Sequence, residues 1–202
     1  MERLKDGFMV AKCRALFGDN QNMPENTPTS PADTQQTAPK LPKSDQNLVW
    51  IDCEMTGLSL EKDALVEIAV LVTDSELNII GEGVDLVIHA TEGQLVGMND
   101  FVRNMHTSSG LINEIPHGID IADAEKQIME YLNSVGVVAG KSPLAGNSVS
   151  VDRNFIARDM KVLADFLHYR TIDVSTIKEL SRRWYPKAYF AAPAKTGNHR
   201  AL

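Results

Sequence analysis

The chain has 202 residues, 43% of them hydrophobic, with a formal net charge of -7 and two cysteines. That length supports one substantial core and argues against two full domains, while the acidity excludes a global basic field of the kind that holds long nucleic acid by neutralising phosphates. Cys13 and Cys53 do not make a disulfide framework, and a reducing compartment is expected, cytoplasmic or alternatively mitochondrial. No run of about 18 apolar residues is present, which excludes an ordinary membrane-spanning helix and leaves no membrane partner to expect.

Residues 1 to 17 mix Arg3, Lys5, Lys12 and Arg14 with Leu4, Phe8, Val10, Leu16 and Phe17. That composition faintly suggests an amphipathic transit peptide, but Glu2 and Asp6 argue against one, because such peptides are poor in acids. A short dangling helix explains the stretch equally well. Residues 20 to 47 carry Pro24, Pro28, Pro31, Pro39 and Pro42 among Thr, Ser, Gln and Asn, with almost nothing to bury. Such a segment reads as a disordered linker, so residues 1–47 are expected to form a tail and the folded part to begin near Leu48.

From Leu48 the pattern changes abruptly. The runs LVWIDC, ALVEIAVLVTD and NIIGEGVDLVIHA read as three strands, and their short connections favour antiparallel neighbours, since a parallel crossover needs a dozen or more residues. Ile121, Ala124, Ile128, Tyr131, Leu132 and Val135 then recur at helical spacing, with Gly136 placed to end the helix. SPLAGNS reads as a buried strand, and a second helix uses Phe155, Ile156, Met160, Leu163 and Leu167. A third helix, TIKELSRRW, opens with Thr176 and Glu179 in capping-box spacing. Strands followed by helices interleaved with short strands predict an α/β or α+β domain with a mixed sheet.

In Trp50-Ile51-Asp52-Cys53-Glu54 the two acids lie two residues apart, so on a strand both face one side and Cys53 the other. Two ionised carboxylates held close repel each other, and a hard divalent cation such as Mg²⁺ or Mn²⁺ relieves this through oxygen ligation. An exposed strand face with two acids has the same pattern. Leu58, in the loop after Met55-Thr56-Gly57, reads as a cap on the core or as an apolar wedge against a nucleobase. Asp152 sits near the start of the second helix, where the helix dipole alone favours an acid. His199, in a Gly/Asn loop, reads as a solvated residue or, in its neutral form, as a general base.

Taken in order, WIDCEMTGL, EIAVLVTD, HTSSGL, GNSVSVDRNF, HYRTIDVSTIKEL, RRWYP and NHRAL resemble the DEDDh 3′→5′ exonucleases from about residue 48 to the last residue. The resemblance implies an RNase H-like fold: α/β, a mixed sheet with three N-terminal antiparallel strands and flanking helices. It implies two Mg²⁺ or Mn²⁺ ions, with Asp52, Glu54 and Asp152 at ligand positions and His199 as the base that deprotonates the attacking water. By position, Leu58 would wedge against a base and Phe101 stack beneath one. His106, Ser148, Arg170 and Ser175 match positions near the terminal phosphate, and Tyr169 matches one lent by a partner subunit. The implied substrates are short single-stranded RNA oligonucleotides, and the implied assembly is a homodimer. The residues by themselves leave Phe101 open as core, His106 as a helix cap and Arg170 as half of a surface ion pair.

The family pattern continues after its histidine with four residues and then an aspartate, the last metal ligand. The sequence given ends at Leu202, three residues after His199. The expectation is therefore a domain, 48–202, lacking its C-terminal helix and one ligand, with weak or absent activity. Two other readings follow: a DNA-directed exonuclease of the same superfamily, and a protein that binds short RNA or a partner without cleaving.

Overall fold

The computed structural model describes residues 43–192 and 200–201. The readings of residues 1 to 42 as transit peptide and linker, and of His199 as a base, fall outside the described residues. Pairing begins slightly before Leu48: Ser44 bridges to Val137, and Asn47 is buried.

The three apolar runs form β1 (Leu48–Met55), β2 (Leu65–Thr73) and β3 (Ile79–Val87), with β1 antiparallel to β2 and β2 antiparallel to β3. The β2–β3 turn is tight because Asp74 Oδ1 accepts from the backbone N–H groups of Glu76 and Asn78, both at 2.9 Å. Two short strands complete the sheet on the other side of β1. They are β4 (Pro143–Gly146), parallel to β1, and β5 (His168–Asp173), parallel to β4. The order is β3-β2-β1-β4-β5, the mixed α/β architecture expected, with three N-terminal antiparallel strands.

Helices fill the connections. After β3 come α1 (Glu92–Val96), α2 (Asp100–Ser109), α3 (Leu111–Glu114) and a single 3-10 turn, Ile115–His117. Next is α4 (Ile121–Ser134), whose Ala124, Ile128 and Leu132 are buried. α5 (Ser150–Asp159) and α6 (Lys161–Phe166) lie between β4 and β5, while α7 (Val174–Trp184) and α8 (Pro186–Ala191) follow β5.

Strand alternation divides the core. Val49, Ile51 and Cys53 of β1 pack with Ile68, Val70 and Val72 of β2, Ile128 and Leu132 of α4, and Phe155 of α5. Trp50 points to the opposite face, against Leu71, Ala145 and Val174, and its Nε1–H donates to Thr73 Oγ1 at 2.9 Å. A central strand covered on both faces should be apolar throughout, and every residue of β2 is buried.

Two local readings are corrected. The helix expected to run from Phe155 to Leu167 is two helices, because Met160 leaves helical geometry at φ -129° and ψ 70° while its side chain stays in the core. The third helix starts earlier than Thr176, and its N-cap is Asp173, whose carboxylate accepts from Ser175 N–H at 2.8 Å. Glu179 does not close a capping box; it pairs with Arg182 and Arg183 one turn on. Asp173 wins because a carboxylate at the N-cap position satisfies an orphan helix donor directly.

Candidate active site

Asp52 and Glu54 share the Trp50 side of β1, opposite Ala69 and Glu67 of β2 in the antiparallel register. On the other edge β1 pairs with β4 only at Val49 and Trp50. Beyond that the chain turns away through Ser148, at φ 57°, into α5. The Cys53 N–H, with no strand beside it, donates instead to Asp152 Oδ1 at 3.0 Å. Asp152 is thereby brought from the first turn of α5, 99 residues along the chain, to the metal-shaped pair on β1. Gly146 permits the close approach, since a Cβ there would lie 2.8 Å from the Ile51 carbonyl oxygen. The carboxyl ends of β1 and β4, where connections leave in opposite directions, are the usual place for a ligand crevice in open α/β sheets.

The cluster is short of positive charge. The Glu54 carboxyl is pushed up to about 7, by burial first and then by the charges of Asp52, Glu67 and Asp152, with Arg200 opposing. Asp152 is raised to about 6, mainly by burial, against the hydrogen bonds from its own backbone and from Cys53. Burial also pushes the Cys53 thiol up, as do the nearby acids, so it is an inert core thiol. Hard oxygen donors that raise one another's proton affinity fit a hard divalent cation in kind. Among the described residues no three His, Cys, Asp or Glu side chains are already gathered closely enough to hold an ion.

Sequence reasoning missed a second acidic group beside the first. Glu67 is 0% exposed, yet both its oxygens are occupied: Oε1 by Arg200 Nε at 2.7 Å and Oε2 by the Ala201 N–H at 2.9 Å. Arg200 also spans both oxygens of Glu114, each at 3.0 Å, which raises its own pKa further. These contacts dock the segment directly after His199 against β2, with Ala201 buried. The acid in EIAVLVTD was visible in the sequence; its partner 133 residues away was not.

The other expected residues divide sharply. Leu58 is 74% exposed and Phe101, on α2, is 75% exposed, so neither caps the core. His106 is fully buried; its Nε2 lies 2.9 Å from the Met55 carbonyl oxygen and its Nδ1 has no hydrogen-bond partner. That burial disagrees with a direct phosphate contact. Ser148 and Ser175 meet at one oxygen of Asp173, which accepts from Ser148 N–H at 2.9 Å and from the Ser175 hydroxyl at 2.6 Å. Tyr169 is exposed at the end of the sheet, with the Arg170 guanidinium 5.4 Å from its ring centroid.

Comparison with known proteins places the chain in a family. A family model described as an exonuclease, of the RNase T type, matches residues 49–202. Proteins named oligoribonuclease are 60% identical over 155 residues in Streptomyces griseus, spanning 77% of each chain. The one in Mycobacterium tuberculosis is 58% identical over 156 residues, spanning 77% of this chain and 73% of the relative. Among solved structures, Escherichia coli exonuclease I in complex with a dT13 oligonucleotide superposes with a TM-score of 0.58 at 17% identity, covering 77% of this chain and 38% of that one. At that identity the likeness concerns the fold, and this chain spans little more than a third of the larger enzyme. With a five-stranded mixed sheet, an acidic cluster at its switch point and these relatives, the chain belongs to the exonuclease family, in its oligoribonuclease branch.

Proposed function

We propose that this chain is a 3′→5′ exoribonuclease that hydrolyses RNA of a few nucleotides to 5′-mononucleotides, with Asp52, Glu54 and Asp152 holding two Mg²⁺ or Mn²⁺ ions. The observation that carries this is the gathering of half-buried Glu54 and buried Asp152, both with raised proton affinity, at the β1–β4 divergence, in a chain about 60% identical to proteins named oligoribonuclease. Divalent cations there would supply the charge that polarises the phosphodiester and stabilises its leaving 3′-oxygen.

The chain's own residues do the rest. A neutral His199 takes the proton from the attacking water. The exposed faces of Leu58 and Phe101 give apolar surface on which unpaired bases stack without sequence preference. Arg170 supplies a cation for the terminal phosphate, and the Ser148 N–H and the Ser175 hydroxyl are both held at one oxygen of Asp173. His106 serves from within the protein, fixing the Met55 carbonyl at the end of β1. A net charge of -7 suits a substrate with few phosphates. The exposed Tyr169, Trp184, Tyr185 and Phe190 support a homodimer in which Tyr169 is lent across the interface. The reduced, buried Cys53 suits work in the cytoplasm.

The test is hydrolysis of a labelled RNA dinucleotide in Mn²⁺ by wild type and Asp52→Ala. Release of mononucleotide by wild type alone is expected. Equal rates in the two proteins reject the site, and calorimetric binding of the dinucleotide without turnover in metal excess supports a non-catalytic binding protein instead.

A further inference from the structure

Leu58 is exposed on a loop that is otherwise anchored. The loop joins β1 to β2, and Thr56 and Gly57 on one side of Leu58 are buried. Thr56 is tied across the loop base twice: its N–H donates to the Ala64 carbonyl at 2.9 Å, and its hydroxyl oxygen accepts from the Ala64 N–H at 2.9 Å. Asp63 then closes the loop from inside. Its Oδ1 accepts from the Thr56 hydroxyl at 3.1 Å and its Oδ2 from the Ser59 N–H at 2.8 Å, so one carboxylate grips the residues on both flanks of Leu58. The carboxylate packs so close to Gly57 that a Cβ there would lie 2.4 Å from Oδ2. On the outer side, Arg158 of α5 donates to the Leu60 carbonyl while pairing with Asp159. Nothing in this arrangement buries the Leu58 side chain, which stands 74% exposed on a loop whose flanks are fixed by these polar contacts.

We propose that Asp63 is the positioning residue for Leu58, fixing its side chain as a preformed apolar contact for a nucleobase and thereby setting affinity for the terminal nucleotides. An apolar contact that is already in place loses little conformational freedom when a base arrives, which is where preorganisation gains affinity. Gly57 is part of the same device, because any side chain there displaces the carboxylate. The proposal rests on the reading of Leu58 as a residue that touches a base.

A double-mutant cycle tests it. Wild type, Leu58→Ala, Asp63→Ala and the double variant are compared in KM and kcat on a 5′-phosphorylated RNA dinucleotide with Mn²⁺, and in Kd by titrating the fluorescently labelled dinucleotide in EDTA. Each single variant is expected to raise KM and Kd about tenfold, the scale of one lost base contact, with kcat changed less. The double variant should match Leu58→Ala alone, because once the client side chain is gone its holder has nothing to hold. Gly57→Ala, which leaves the carboxylate in the chain but pushes it aside, should reproduce the Asp63→Ala pattern, and serves if Asp63→Ala does not fold. A loss in the double variant equal to the product of the two singles overturns the proposal, as does a fall in kcat at constant KM. Wild type that binds the dinucleotide without cleaving it contradicts the proposed activity but leaves the Kd cycle to decide on Asp63. Wild type that cleaves, with Leu58→Ala unchanged, leaves the activity standing and overturns the proposal.

Discussion

Glu54 and Glu67 face each other across β1 and β2, two glutamates in one register with opposite fates. Glu67 is sealed from solvent and fully partnered, by Arg200 and by a backbone N–H. Glu54 lies among Asp52, Glu67 and Asp152 and is driven up to about 7. Burying a carboxylate costs several kcal/mol unless it is paired. Where the chain supplies an arginine the acid is structural; where it supplies more acids, their proton affinity rises.

The largest expected effect separates the two at once. Asp152→Asn, which keeps an oxygen to accept from the Cys53 N–H, should lower dinucleotide hydrolysis by about 1,000-fold or more, the scale of losing a charge-stabilising group in an active site, while the metal-free fold is not weakened at pH 8, where the charge adds repulsion. Chemical denaturation and initial rates on the same preparation check both halves. A loss of stability comparable to that of a core variant would mean that Asp152 is structural like Glu67.

Next in size is Glu67→Gln, which leaves Arg200 without its buried partner and should cost about 3 kcal/mol in urea denaturation. A smaller change in pH dependence should follow. Glu54 goes from 4.5 to about 7 on folding and Asp152 from 3.8 to about 6. Folded-state values above unfolded ones mean that the native state binds protons more tightly at these two acids, so their contribution to stability is greatest below about 4 and declines as pH rises to about 7. Without divalent cation the protein should therefore lose stability over that window. Mn²⁺, which ligates the deprotonated acids, should raise the Tm more at pH 8 than at pH 5. An equal rise at both would break the comparison. The smallest effect belongs to Glu114, half exposed in its contact with Arg200: Glu114→Gln should cost about 1 kcal/mol or less.

Much of this was legible in the sequence because it was local. Alternation in LVWIDCEM put Asp52 and Glu54 on one face before any fold was known, and the 3.6-residue spacing from Ile121 to Val135 gave α4 its buried stripe. The resemblance supplied the order of the motifs. What was hidden depends on long-range partners. Nothing near Glu67 announces Arg200, and nothing in AGNSVSVD shows that Asp152 will cap the Cys53 N–H left over where β4 ends. The segment between β3 and α4 gives no helical signal of that kind. Its three helices are short, and α2 and α1 depend on side-chain caps from Asn99 and Thr91 rather than on a long apolar stripe. Met160 fits a continuous helical pattern in the sequence because it stays buried while the backbone breaks around it. His106 was matched by position, and only the packing shows it turned inward onto Met55.

We propose that Asp52, Glu54 and Asp152 form the half of this acidic region that takes up divalent cation. Calorimetric titration of Mn²⁺ into wild type, Glu54→Gln and Glu67→Gln at pH 8 tests it most directly. Glu54→Gln is expected to weaken Mn²⁺ binding at least about tenfold, as on removing a ligand, while Glu67→Gln, if folded, retains it within a few-fold. Equal binding by wild type and Glu54→Gln would contradict it.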